Sequence, residues 1–253
     1  MSALKQLGKQ FLELVDDAGY GIMKLLQPFG LDRQYQNTVE NFSGQVVDAM
    51  CKIAFPYKAI DFEKYIPAVG PAVVASSHNS EWDVIMNAAT IVNINKRYLW
   101  QMAKHSLFKI PVVNAWVRTH FAFPLRRGET DKDSMNFALD LLSKGELVGM
   151  FPEGTTNEGN GKLLEPHVGV MRLAIEADVP IIPLGVTGTE NIYPKHGKML
   201  NVGKSCVLRC GKPYNKHRQF SHKYPRPDYG TLRELTDDLM NEIKGLLYYN
   251  TPI

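Results

Sequence analysis

No run of about 18 uninterrupted apolar residues occurs in the chain, which excludes a simple membrane-spanning helix. The opening Met1-Ser2-Ala3-Leu4-Lys5-Gln6 lacks the apolar core and small-residue cleavage site of a secretory signal, so a cytoplasmic location is expected. Cysteine is scarce. Cys51, Cys206 and Cys210 are an odd number without metal-ligand spacing, and they read as reduced thiols. No His-Glu-x-x-His occurs, and His105, His120, His167, His196, His217 and His222 form no ligand pattern, so no metal is expected. Gly-x-Ser-x-Gly is missing too, which argues against a serine nucleophile on an elbow turn. Excess charge is slight, at +3, which suits an anionic membrane or substrate and is far too weak for nucleic acid. The 253 residues, 44% of them apolar, suffice for one α/β domain with an appended helical element.

Two amphipathic patterns open the chain. Leu4, Leu7, Phe11, Leu14, Val15, Ala18, Ile22, Leu25, Leu26 and Phe29 step by threes and fours, as one stripe on a helix that Pro28 and Gly30 end. Val39, Phe42, Val46, Ala49, Met50 and Ile53 repeat the pattern before Pro56. The pair reads as a helical hairpin over residues 1–57. Either both stripes pack on the main domain, or part of the apolar surface lies in a membrane interface. The lysines Lys5, Lys9 and Lys24 are balanced by Glu13, Asp16 and Asp17, so the polar face is not notably cationic.

From about residue 58 the texture alternates. Strands are expected at Ala72–Ser76, Tyr98–Ala103, Phe121–Leu125, Glu146–Phe151, Val179–Val186 and Ser205–Cys210. Helices are expected at Asp83–Ile94, Val112–Thr119, Asp133–Ser143 and Val168–Ala177, with a last one through Leu232, Leu239 and Leu246. Residues 214–230 read as a surface loop. This alternation predicts an α/β domain over 58–253, a largely parallel central sheet flanked by helices.

Behind the apolar run Pro71–Ala75 comes His78-Asn79-Ser80-Glu81-Trp82-Asp83. On one unbroken helix a histidine and a carboxylate five residues apart would point about 140° apart. A strand-to-helix turn between them, with Ser80 or Asn79 as the cap, lets Asp83 fold back onto the imidazole. Such a pair can take a proton from a hydroxyl, the carboxylate fixing the tautomer and stabilising the imidazolium. Taken alone, a His-x4-Asp spacing more often marks a satisfied core histidine.

Four further segments follow in order: Met102–Pro111 with Lys104, Phe123-Pro124-Leu125-Arg126-Arg127, Phe151-Pro152-Glu153-Gly154-Thr155-Thr156, and Val179-Pro180-Ile181-Ile182-Pro183. Together with His78–Asp83 they resemble the glycerolipid acyltransferases, especially the 1-acylglycerol-3-phosphate acyltransferases, over roughly residues 60–215. The resemblance implies a general-base histidine, His78, oriented by Asp83 and acting on a glycerol hydroxyl that attacks an acyl thioester. It implies an acceptor site at Arg127, Glu153, Gly154 and Thr155, with Lys104 either facing the phosphate or lying on the surface. A guanidinium suits phosphate because it donates two parallel charge-assisted bonds. Arg126 is the alternative, since strand neighbours face opposite ways.

Two departures stand out. Phe121 occupies a position where the family usually has a small residue, often glycine. Thr156 stands where it usually continues with arginine, leaving Lys162, Lys104 or Arg172 as substitutes. The expectation is an O-acyltransferase at the cytoplasmic face of a membrane, peripheral or monotopic, acylating the sn-2 hydroxyl of lysophosphatidic acid. The donor is acyl-CoA or acyl carrier protein, and no cofactor is needed. The rivals are another acceptor (glycerol-3-phosphate, a different lysophospholipid or a glycolipid), an acyl thioesterase, or a non-catalytic lipid-binding protein.

Overall fold

The apolar run Ala72–Ser76 lies in the interior of a mixed sheet, buried along its whole length. The structure, a computed structural model, describes residues 25–109, 114, 117–125, 132–159, 161–197, 199–223 and 225–247. Among these, the strands are β1 (Tyr57–Ile60), β2 (Ala72–Ser76), β3 (Leu99–Lys104), β4 (Ala122–Leu125), β5 (Leu147–Met150), β6 (Ile181–Thr187) and β7 (Cys206–Cys210). Their order is β1-β7-β6-β2-β5-β3-β4, and every pairing is parallel except β6 with β7. The expected α/β class, with a largely parallel sheet between helices, is what the chain adopts.

Both faces of the sheet are covered, which is why β2 reads as a continuous apolar run rather than an alternating one. Successive side chains on a strand point to opposite faces. Val73 and Ala75 accordingly join Leu141, Leu173, Leu239 and Ile243 in one core layer, while Ala72 and Val74 join Met86, Ile91, Ile182 and Leu208 in the other. The first layer is closed by α4 (Lys132–Ser143), α5 (Gly169–Ala177) and α7 (Tyr229–Leu246). The second is closed by α1 (Asp32–Ala54) and α3 (Trp82–Asn95), with the short α2 (Phe62–Tyr65) and α6 (Thr189–Ile192) at its margins. The Asp228 side chain caps α7 by accepting from Thr231 N at 2.7 Å.

Several boundaries differ from expectation. The edge strand β1 was not foreseen, because three of its four residues are only half-buried and Lys58 is exposed, which leaves little alternation to read. β6 begins at Ile181, after Pro180, whose ring removes a ladder donor. Within 214–230, Tyr214 bridges to Ile181 and His217 is wholly buried, so the segment starts as part of the core rather than as a free loop. Only residues 114 and 117–119 of the expected Val112–Thr119 helix are described, and they are helical.

Of the expected N-terminal hairpin, residues 1–24 lie outside the described part, and a 3-10 turn Gln27–Phe29 ends on left-handed Gly30. The helix expected before Pro56 is α1. Its inner face is fastened to the domain: Gln36 donates to Arg118 O at 3.1 Å, Asn41 to Tyr98 Oη at 2.9 Å, and Asn93 to Gly44 O at 2.8 Å. Its other face carries Phe42, Val46 and Ile53 into solvent.

Candidate active site

In open α/β sheets ligands bind beyond the carboxyl ends of the parallel strands. His78 stands two residues past β2, Glu153 three past β5, and Thr189 two past β6, while Lys104 ends β3. The polar groups therefore converge on one end of the sheet, across three adjacent strands and one neighbour.

The chain leaves β2 and turns into α3 through Ser77–Glu81, the strand-to-helix turn that the spacing predicts. Ser80 Oγ accepts from Trp82 N at 3.1 Å, but the cap position is Glu81, just after the expected Asn79 or Ser80, and no side chain caps the helix there. Asp83, fully buried in the first turn, folds back as anticipated. Its Oδ2 accepts from Asn79 N at 2.6 Å, from Ser80 N at 2.9 Å, and lies 3.3 Å from His78 Nδ1. Its Oδ1 accepts the Thr189 hydroxyl. A buried carboxyl group needs such hydrogen-bond partners. With Asp83 Oδ2 accepting, the imidazole N–H that faces it is at Nδ1, which leaves Nε2 with its lone pair.

The imidazole is clamped from the side as well. Phe151 stacks on it with centroids 4.0 Å apart and planes 22° from parallel. His78 N donates to Glu153 Oε1 at 2.8 Å, and His78 O accepts from Asn157 N at 2.7 Å. Asn157 Nδ2 reaches Glu153 Oε2 at 2.9 Å and Asn79 Oδ1 at 2.9 Å, and Leu164 N donates to Glu153 Oε2 at 2.7 Å. The His78 and Glu153 blocks are thus one hydrogen-bonded unit. Gly154, at φ +69°, lets the turn pass the His167 ring, where a Cβ would come within 2.8 Å. Gly188, at φ +95°, makes the corner from β6 that sets Thr189 beside Asp83. Burial pushes the neighbouring Glu190 carboxyl above its ordinary value, and the Asp83 charge adds to the rise.

The expected site residues are distributed unevenly. His78 and Asp83 are in contact. Glu153 is buried with both oxygens engaged by protein donors, while Gly154 is half-buried and Thr155 exposed at the rim. Lys104 is exposed at the end of β3. Arg126 and Arg127 lie outside the described residues. Thr156 is buried, and its carbonyl accepts from Lys195 Nζ at 2.7 Å, so a cation stands beside the turn where arginine is usual. Lys195, Asn157, Thr189 and the stacking Phe151 were not singled out from the sequence. Only Gly188-Thr189 carried a signal, a glycine-polar step at the end of an apolar run like that before His78.

A family model described as Acyltransferase matches residues 59–187, just over half of the 253 residues. The chain belongs to the acyltransferase family. Among curated proteins this acyltransferase is 29% identical over 181 residues to the 1-acyl-sn-glycerol-3-phosphate acyltransferase of Bacillus subtilis (strain 168), covering 72% of this chain and 83% of that protein. It is 28% identical over 176 residues to the chloroplastic 1-acyl-sn-glycerol-3-phosphate acyltransferase BAT2 of Brassica napus. That match covers 68% of this chain but only 45% of the plant protein. Among solved structures, the 1-acyl-sn-glycerophosphate (LPA) acyltransferase PlsC of Thermotoga maritima superposes with a TM-score of 0.64 at 22% identity, over 95% of this chain and 97% of that one. At that identity the likeness shows the fold.

Proposed function

We propose that this acyltransferase moves a fatty acyl group from a thioester of coenzyme A or acyl carrier protein to the sn-2 hydroxyl of lysophosphatidic acid, giving phosphatidic acid. The observation that carries the reading is the His78–Asp83 contact at 3.3 Å, backed by Thr189 and two backbone amides. His78 Nε2 takes the hydroxyl proton as the oxygen attacks the thioester carbonyl. The carbon–sulfur bond then breaks, and the thiolate leaves with the proton that the imidazolium returns. Atoms balance without metal, redox partner or covalent enzyme intermediate. Asp83 holds the tautomer and stabilises the imidazolium, a contribution of about 10²–10⁴ in comparable acid–base pairs.

Gly154 and Thr155 at the rim, Arg127 and Lys104 bind the acceptor phosphate in this reading. Glu153 acts through the turn it holds. The relatives' names support lysophosphatidic acid as acceptor. Phe121 and Thr156 keep glycerol-3-phosphate, other lysophospholipids and glycolipids in the substrate panel.

An amphiphilic acceptor requires access to a bilayer. In this proposal the protein is peripheral, on the cytoplasmic face, and residues 1–57 dock it. The outward Phe42, Val46 and Ile53 support this: at 100° per residue they fall within about 40° of one another on α1.

The test is thiol release from acyl-CoA by purified protein with liposomes, with and without lysophosphatidic acid, beside His78→Ala. Acceptor-dependent release that the variant loses supports the transferase. Release without acceptor points to a thioesterase, and silence across the panel would overturn the catalytic reading.

A further inference from the structure

The turn that carries the catalytic pair is fastened to a surface segment that the reaction itself does not use. Ser80 Oγ donates to Tyr193 O at 2.6 Å, and Lys195 Nζ to Thr156 O at 2.7 Å. From there the chain runs outward and folds back. Asn201 N donates to Ile192 O at 2.8 Å, and Gly203 N to Ala54 O at 2.8 Å, at the carboxyl end of α1. Leu200 packs into the core layer under α1. Met199 and Val202, on either side of it, point the other way, at 79% and 74% exposure.

Turn corners favour Gly, Asn, Asp, Ser and Pro, and a bare valine at the corner of Asn201-Val202-Gly203-Lys204 has no local reason to be there. The hydrogen bond to Ala54 sets it next to Ile53, which is 88% exposed. Three large apolar side chains, Met199, Val202 and Ile53, are therefore exposed around the point where this turn joins the carboxyl end of α1, the helix that also exposes Phe42 and Val46. Exposed apolar residues scattered singly need no explanation, but a contiguous group does.

Charge identifies the occupant. From Tyr193 to Lys204 the sequence contains no aspartate or glutamate, and Lys195, His196 and Lys204 are exposed. Lys52, beside Ile53, adds a further exposed ammonium, partly offset by Asp48 at 2.7 Å. Apolar tips framed by basic groups, without carboxylates on the segment, are the composition that partitions into an anionic bilayer interface.

We propose that the turn Met199–Lys204 is a second membrane-insertion point, placing Met199 and Val202 beside Ile53 in the interface of an anionic phospholipid bilayer. It rests on the membrane-surface reading given above. Because Tyr193 and Lys195 tie the same segment to Ser80 and Thr156, seating the turn fixes the acceptor end of the active site against the leaflet that holds the acceptor.

The test uses the full chain with Met199→Cys carrying a polarity-sensitive dye. Labelling is selective because Cys51, Cys206 and Cys210 are buried. Vesicles of phosphatidylcholine with phosphatidylglycerol should shift the dye emission to the blue, and pure phosphatidylcholine should shift it far less. Met199→Asp with Val202→Asp should weaken vesicle binding about tenfold or more. Val69→Asp, at another exposed valine, should leave binding unchanged, and the double variant should still acylate an acceptor dispersed in detergent. A dye that stays in water while the protein sediments with vesicles overturns this proposal and spares the membrane reading. Failure of the unsubstituted chain to sediment removes both. An equal shift on neutral vesicles overturns the anionic assignment. A shift that grows with protein concentration in the absence of lipid gives the surface to a second copy of the chain.

Discussion

Glu153 accepts the backbone N–H of His78 at 2.8 Å, across 75 residues of sequence. The carboxyl group thus grips His78 by its main chain, leaving the imidazole free to meet Asp83 and Phe151. Asn157 closes the arrangement, binding Glu153, Asn79 Oδ1 and His78 O at once. Two segments that read as separate motifs are one rigid floor.

Removing that closure should cost more in rate than in binding. Asn157→Ala deletes the side-chain bonds to a buried carboxylate, a loss of about 1–3 kcal/mol in stability. It also loosens the His78 turn at Asn79, although Asn157 N still reaches His78 O, so kcat should fall about tenfold or more with KM for the acceptor changing less. Asn157→Asp sets a second carboxyl against Glu153 and should be worse on both counts. The measurements are thermal melts and thiol release over a range of acceptor concentrations. An Asn157→Ala enzyme with parental kcat would sink the idea of a shared floor.

Asp83 should behave as an orienting group rather than a proton acceptor. Asp83→Asn can keep one oxygen towards Asn79 N, Ser80 N and His78 Nδ1 by turning its NH2 to the Thr189 hydroxyl, but it removes the negative charge that stabilises the imidazolium. Activity should drop by about 10²–10⁴, with residual turnover above that of His78→Ala. Equal residual rates in the two variants would mean that the carboxylate contributes everything the histidine does.

What the sequence made legible follows from interaction range. β2 and the His78 turn could be read because an uninterrupted apolar run followed by polar turn formers is a local signal. Asp83 was five residues away, within reach of spacing arguments. Thr189 touches the same carboxylate from 106 residues along the chain, and nothing in a lone threonine declares such a contact. Asn157 meets Asn79 across 78 residues and was hidden for the same reason. Phe121 was noted as a departure, but the cause is conformational and invisible in composition.

That cause gives a test of its own. Phe121 sits at φ +56°, in the left-handed region where a non-glycine residue costs roughly 1–2 kcal/mol. It is held there by burial between Tyr98 and Trp100 and by the Arg33 guanidinium 4.6 Å from its ring centre. Both Phe121→Ala and Phe121→Gly lose that packing, at about 3–5 kcal/mol. Glycine alone is relieved of the backbone cost, so Phe121→Gly should be the more stable of the two by about 1 kcal/mol. Alanine normally outranks glycine inside a fold, so thermal melts in the usual order would contradict the backbone account.

Glu40 supplies a pH dependence of the fold itself. It is buried on the inner face of α1, its Oε2 has no partner among the described residues, and burial pushes its carboxyl up to about 7. In the unfolded chain the same group releases its proton near 4.5. Between those values the folded protein holds a proton that the unfolded chain has given up, so stability falls as pH rises from 4.5 towards 7 and levels off above. Glu40→Gln keeps the shape of the protonated acid and removes the titration. The variant should match the parent near pH 4.5, then gain on it by an amount on the order of 1–3 kcal/mol by pH 8. Denaturant melts of both proteins across that range check the sign directly. A gap that is constant with pH would place the carboxyl's titration outside this seam, whereas one that closes as pH rises would reverse the assignment of burial as its cause.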